Sequence, residues 1–167
     1  MKTTPKSRKR GGSESKPYVT SATVSSSELE VGGPRDFYRG DIEFEGVDHA
    51  EASFEARVFL NNPKAGPSTP LTLQAGFAGT FNIFGHGGCF GDVGHCDLKA
   101  RRAYDPRGAH PLTPARKVVI GTDALKRALE KGPKVTVTVV PIVLSATEKC
   151  DLQHVLKFSK VSIVTYR

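Results

Sequence analysis

Apolar and polar side chains alternate along several short stretches of the chain, the period of a β-strand with one buried face. Between Ala52 and Leu60, the residues Phe54, Ala56, Val58 and Leu60 fall on one side, and Glu55, Arg57 and Phe59 on the other. Asp41–Phe44 reads as a shorter strand before it. Thr80–Phe84 repeats the pattern, with Phe81 and Ile83 set against Asn82 and Phe84. Lys117–Ile120, Lys134–Leu144 and Phe158–Tyr166 complete the set. Lys134–Leu144 is the strongest of these, rich in Val and Thr, which suit a pleated surface. Pro141 near its end lacks a ladder donor and predicts an edge or a bulge.

Only one stretch carries the helical period. Thr122 suits an N-cap, Asp123 the first turn, and Leu125 and Leu129 one face of a helix over Asp123–Lys131. Gly132-Pro133 stops it. Asn61–Pro70 holds three prolines with Gly and Asn and reads as a loop. These elements predict a mainly β chain: an antiparallel β-sandwich or jelly-roll-like fold with one short helix. Gly85 to about Ala115 carries no periodic signal, and a loop that long in a compact domain tends to be functional or tied down.

Composition alters this picture mainly at the N-terminus. The 167 residues suffice for one domain with a core. The apolar share is low at 38%, and 17 Gly and 11 Pro account for it as turn formers. The net charge of +7 is unevenly spread, because residues 1–17 hold six cations (Lys2, Lys6, Arg8, Lys9, Arg10, Lys16) against one anion, Glu14. That stretch has almost no apolar side chain to offset its ordering entropy and is read as a disordered basic tail. Residues 18–40 follow as a linker that leads into the domain, with a polar Ser25–Arg35 and a Gly-Gly-Pro break; residues 41–167 form the β-sandwich. The Lys6–Arg10 cluster has no interleaved aromatics, so nucleic acid is not the expected partner. No apolar run reaches the 18 residues of a membrane span. The N-terminus lacks the apolar segment of a signal peptide, so secretion by that route is not expected, and the location reads as cytoplasmic or undetermined.

The chemistry concentrates in residues 85–97, where two His, two Cys, two Asp and five Gly share 13 positions. His86, Cys89, His95 and Cys96 follow the spacing H-x2-C-x5-H-C. Thiolate and imidazole are ligands of copper and zinc, and the glycines let a short backbone converge them. Four readings stay open: a functional, transient copper site; a structural zinc site; a Cys89–Cys96 disulfide that closes the loop; or side chains that only pack and hydrogen-bond. Adjacent His95-Cys96 would need a sharp turn to share one metal, and the spacing matches no common zinc finger. Cys150 reads as a free surface thiol, and His49, His110 and His154 as surface histidines. A Cys–His nucleophile is poorly supported, since no helix N-terminus or strand elbow presents it. Phosphate-loop, G-x-S-x-G and dinucleotide signatures are absent.

The run Phe54-Glu55-Ala56-Arg57-Val58-Phe59-Leu60-Asn61-Asn62-Pro63, followed by Ala78-Gly79-Thr80-Phe81-Asn82-Ile83-Phe84-Gly85-His86-Gly87-Gly88, resembles the C-terminal β-sandwich of tyrosinases and molluscan haemocyanins. The later order is similar too: Thr-Asp-Ala-Leu at 122–125, the Val-rich 134–144 and the closing Val-Ser-Ile-Val-Thr-Tyr at 161–166. The likeness covers roughly residues 40–167, and the Cys/His loop resembles that of a bacterial tyrosinase-associated version. The resemblance implies that oxidase chemistry belongs to a separate helical domain, where six histidines hold a binuclear type-3 copper centre. With five His, none spaced H-x3-H on a predicted helix, this chain does not build that centre alone. It also implies a domain that packs over the copper site, limits access to it and in some members helps load copper. On that basis the 86–96 loop is the candidate for copper contact, and Phe84 and Phe90 are candidates to plug a partner's site.

Three functions follow. The first is a non-catalytic accessory or lid domain of a tyrosinase-like copper oxidase, partnered by the helical oxidase domain. The second is a structural or interaction β-sandwich whose loop is stapled by a disulfide or zinc. The third, an independent metalloenzyme, is disfavoured because no positioned general base is evident.

Overall fold

The computed structural model describes residues 18–23, 36–85, 114–145 and 155–167. The basic tail, the Ser25–Arg35 stretch, the 86–96 loop with Phe90, and His110, Cys150 and His154 lie outside the described residues.

Among the described residues, seven strands form two antiparallel sheets. They are β1 (Tyr18–Thr23), β2 (Arg39–Val47), β3 (Ser53–Leu60), β4 (Phe77–Ile83), β5 (Ala115–Ile120), β6 (Lys134–Ser145) and β7 (Lys160–Tyr166). One sheet runs β1-β6-β3-β4 and the other β5-β2-β7. The segment that leads into the domain therefore opens with a strand, which pairs along β6 from Tyr18↔Val139 to Thr23↔Lys134.

One core joins both sheets. From the four-stranded sheet come Phe54, Ala56, Val58, Leu60, Phe81, Ile83, Val135, Val137 and Val139; from the other come Ile42, Phe44 and Val47. The alternation in Phe54–Leu60 is thus the burial pattern itself. Phe44 sits at the centre, with its ring 5.0 Å from that of Phe81 and 5.4 Å from that of Phe158. Phe59 points the other way yet is fully buried, because a second cluster with Ala65 and Val140 covers it on the outer face. The 61–70 loop supplies Ala65, and Arg57 holds that loop by donating to the Pro67 carbonyl at 3.1 Å.

Bulges explain where strand limits differ from those expected. The β2–β5 register slips between Phe44 and Val47, where Gly46 has φ +67°, so β2 continues past Phe44. The β3–β4 register slips between Val58 and Phe59, which hides the alternation at Phe77–Gly79 and lets β4 start earlier than Thr80. Pro141 lies two residues beyond Val139, the last β6 residue paired to β1, and the β6–β3 register slips near Ser145. Pro141 itself stays in register opposite Ala56, and the bulge falls three residues later, at Leu144.

The helix differs in its start and its end. The helix α1 spans Thr122–Ala128 and tightens into a 3-10 turn at Leu129–Lys131. Gly121 is the N-cap residue and no side chain caps the helix. Thr122 Oγ1 instead accepts from the Gly40 amide at 3.1 Å, and Gly121 N–H donates to the Gly40 carbonyl at 2.9 Å. These two bonds fasten the helix start to β2, so the Thr122 hydroxyl is spent on a strand rather than on a cap. Leu125 and Leu129 are buried as the helical period predicts.

Candidate functional site

The described approach to the 86–96 loop is the last turn of β4. Phe81 and Ile83 face the core, and Phe54 pairs with Ile83. The Gly85 amide donates to Ser53 Oγ at 3.0 Å. A Cβ on Gly85 would run into the backbone of Glu51 and Ala52, so only glycine lets the chain pass this close. Phe84 sits between the buried Ile83 and this clamp, with its ring turned outward and 88% exposed. Among the described residues it is the most exposed large apolar side chain. A full aromatic surface in water is unfavourable by roughly 1.5–3 kcal/mol relative to burial.

Of the residues singled out in the sequence, Phe84 is therefore placed, and it stands two residues before His86. His86, Cys89, Phe90, His95 and Cys96 lie outside the described residues. Among the described residues no three His, Cys, Asp or Glu side chains group to hold a metal. His49 is half-buried in the turn between β2 and β3.

A second polar arrangement was not singled out by the alternation. On the outer face of the three-stranded sheet, Asp41 and Glu43 are buried carboxylates, 1% and 7% exposed. Arg39 grips Asp41 through both oxygens at 2.8 and 2.7 Å, and Arg116 reaches Glu43 at 2.6 Å. The hydrogen bond from each arginine to its carboxylate raises the guanidinium pKa above its ordinary value. Tyr166 stacks under Arg39, with 5.4 Å from the guanidinium carbon to the ring centre. Val118 and Ile120 on the neighbouring strand stay exposed beside these pairs. The signal was present in the alternating Arg39, Asp41, Glu43 and Glu45, but nothing in the sequence told a solvated face from a covered one.

No protein-family model matches the sequence, and no curated protein matches it. Solved structures do match the fold. A recombinantly expressed latent aurone synthase, a polyphenol oxidase, aligns at a TM-score of 0.50 with 13% identity over 90% of this chain. The same enzyme co-crystallised with hexatungstotellurate(VI) and soaked in H2O2 gives a TM-score of 0.50 with 12% identity. The fold is that of one part of a polyphenol oxidase. This chain spans about a quarter of the oxidase chain's length, 24%. The polyphenol oxidase likeness agrees with the tyrosinase resemblance of residues 40–167. No helix among the described residues is long and apolar enough to cross a membrane.

Proposed function

We propose that this chain is an accessory domain of a tyrosinase-type copper oxidase, and that Phe84 enters the mouth of the oxidase's copper site. The observation that carries the reading is Phe84 itself: an 88% exposed ring held by a core residue on one side and the Gly85 clamp on the other. An oxidase that takes phenols has a site shaped for an aromatic ring. A phenyl group fits such a site but offers no hydroxyl to oxidise. Two features of the structural neighbour support the reading: the matching part is only 24% of its chain, and the enzyme carrying it is described as latent.

The second half of the proposal concerns copper. His86, Cys89, His95 and Cys96 would hold Cu(I) transiently, because soft thiolates select that ion and imidazoles suit handover. A Cu(I) titration tests this half without a partner. The wild-type chain takes up one Cu(I), and the Cys89→Ser, Cys96→Ser double variant takes up none. Equal uptake by both would remove copper loading, and zinc or a Cys89–Cys96 disulfide in the purified chain would favour a stapled interaction domain.

For the covering role, the assay is association with the type-3 copper oxidase of the same source. A one-to-one complex forms in size-exclusion light scattering. Phe84→Ala weakens it about 10- to 100-fold, the loss expected for one buried aromatic ring. Unchanged affinity would contradict the role given to Phe84.

A further inference from the structure

We propose that a cleft at the opposite end of the domain from Phe84 binds phosphate, free or as a phosphomonoester. The cleft lies where β3 ends and β4 begins, and its volume is about 140 Å3. One wall is a stripe of α1 and its 3-10 extension: Ala124, Arg127, Ala128 and Lys131. These positions are three and four apart, so they share one helical face. The facing wall is the turn at 73–76, with Gln74 and Gly76.

Charge and hydrogen-bond accounting both favour an anion here. Two cations line the cleft and no carboxylate does. Neither Arg127 nor Lys131 has an ion-pair partner among the described residues. Three carbonyls of the lining residues already accept hydrogen bonds. Asn61 Nδ2 donates to the Ala128 carbonyl at 2.9 Å, and Asn62 Nδ2 donates to the Ala75 carbonyl at 2.8 Å. The Leu73 carbonyl accepts from the Gly76 amide at 3.0 Å. At the C-terminal end of the helix the Ala128 carbonyl is thus capped by the Asn61 amide, and the two cations of that end have no ion-pair partner among the described residues.

The walls are also fixed in advance. Gly76 has φ +83°, and a Cβ there would collide with the Leu60 backbone. Asn61, at φ +52°, is locked by a second bond, its Oδ1 accepting from the Thr136 amide at 2.9 Å. Arg127 presents a planar donor fork suited to two oxygens of one oxyanion, and Lys131 adds a point charge that favours a dianion. The cleft has room for a tetrahedral oxyanion and leaves it open to water on one side.

The test is a titration of the full chain followed by amide NMR. Inorganic phosphate and methyl phosphate are added in parallel at constant ionic strength, held with sodium chloride so that screening does not change. Saturable shifts centred on the Gly76, Ala128 and Lys131 amides are expected. The Arg127→Gln, Lys131→Gln double variant weakens binding at least about tenfold, whereas Arg127→Lys with Lys131→Arg retains it. Saturation by phosphate alone identifies the free ion as ligand, and saturation by both identifies a phosphomonoester site. Shifts that do not saturate at these amides, or that persist in the double variant, overturn the proposal. So does binding confined to the cationic residues 2–16.

Discussion

Phe81 and Phe84 leave the same stretch of chain three residues apart and meet opposite environments. Phe81 is 6% exposed and packs on Phe44, whereas Phe84 is 88% exposed. Alternation accounts for the first step, because Phe84 directly follows the inward Ile83 at the end of β4. It does not account for the second. On the outer face Phe59 and Val140 are covered by Ala65 of the 61–70 loop, whereas Phe84, just past β4, stays exposed. The difference shows that this sheet has the means to bury an outward aromatic, and that among the described residues Phe84 is left exposed at the end of β4. There, the backbone on either side of Phe84 is fixed by Ile83 and by the Gly85–Ser53 bond.

That contrast predicts a graded set of effects. The largest belongs to the core: Phe44→Ala removes the ring that joins the two sheets and costs about 3–5 kcal/mol in chemical denaturation. Next are the glycines at the two ends of β4. Gly76→Ala adds both a Cβ clash and a positive φ, for a loss of about 2–4 kcal/mol. Gly85→Ala adds the clash alone and costs about 1–3 kcal/mol by the same measurement. Asn61→Ala loses two side-chain hydrogen bonds, about 2 kcal/mol, and the freed Thr136 amide exchanges faster with solvent. The smallest effect is that of Phe84→Ala, within about 0.5 kcal/mol. A large stability loss at Phe84 would mean that the ring is structural, and the contrast with Phe81 would fail.

Much of the fold was legible because burial follows a period of two. Phe54, Ala56, Val58 and Leu60, and Val135, Val137 and Val139, are inward residues that alternation alone identifies. Legibility fell where one inserted residue shifts the register, at Gly46 in β2 and at Ala78 in β4. Thr122 misled for a different reason. A hydroxyl at that position suits a cap, but its partner is the Gly40 amide, 82 residues away, which no local rule anticipates. The phosphate cleft was illegible for the same reason, since Gly76 and Arg127 meet only through the tertiary fold. Phe84, by contrast, was singled out in advance by the tyrosinase resemblance, while the alternation only set it on the side opposite Phe81 and Ile83.

The covering role of Phe84 is tested most directly by the rate of phenol oxidation of the matching type-3 copper oxidase with this chain bound. With the wild-type chain at saturating concentration, the apparent KM for phenol rises and activity falls, because ring and substrate compete for one site. With Phe84→Ala at a concentration that still saturates the complex, activity returns towards that of the uncovered oxidase. Equal inhibition by the two chains would contradict the account.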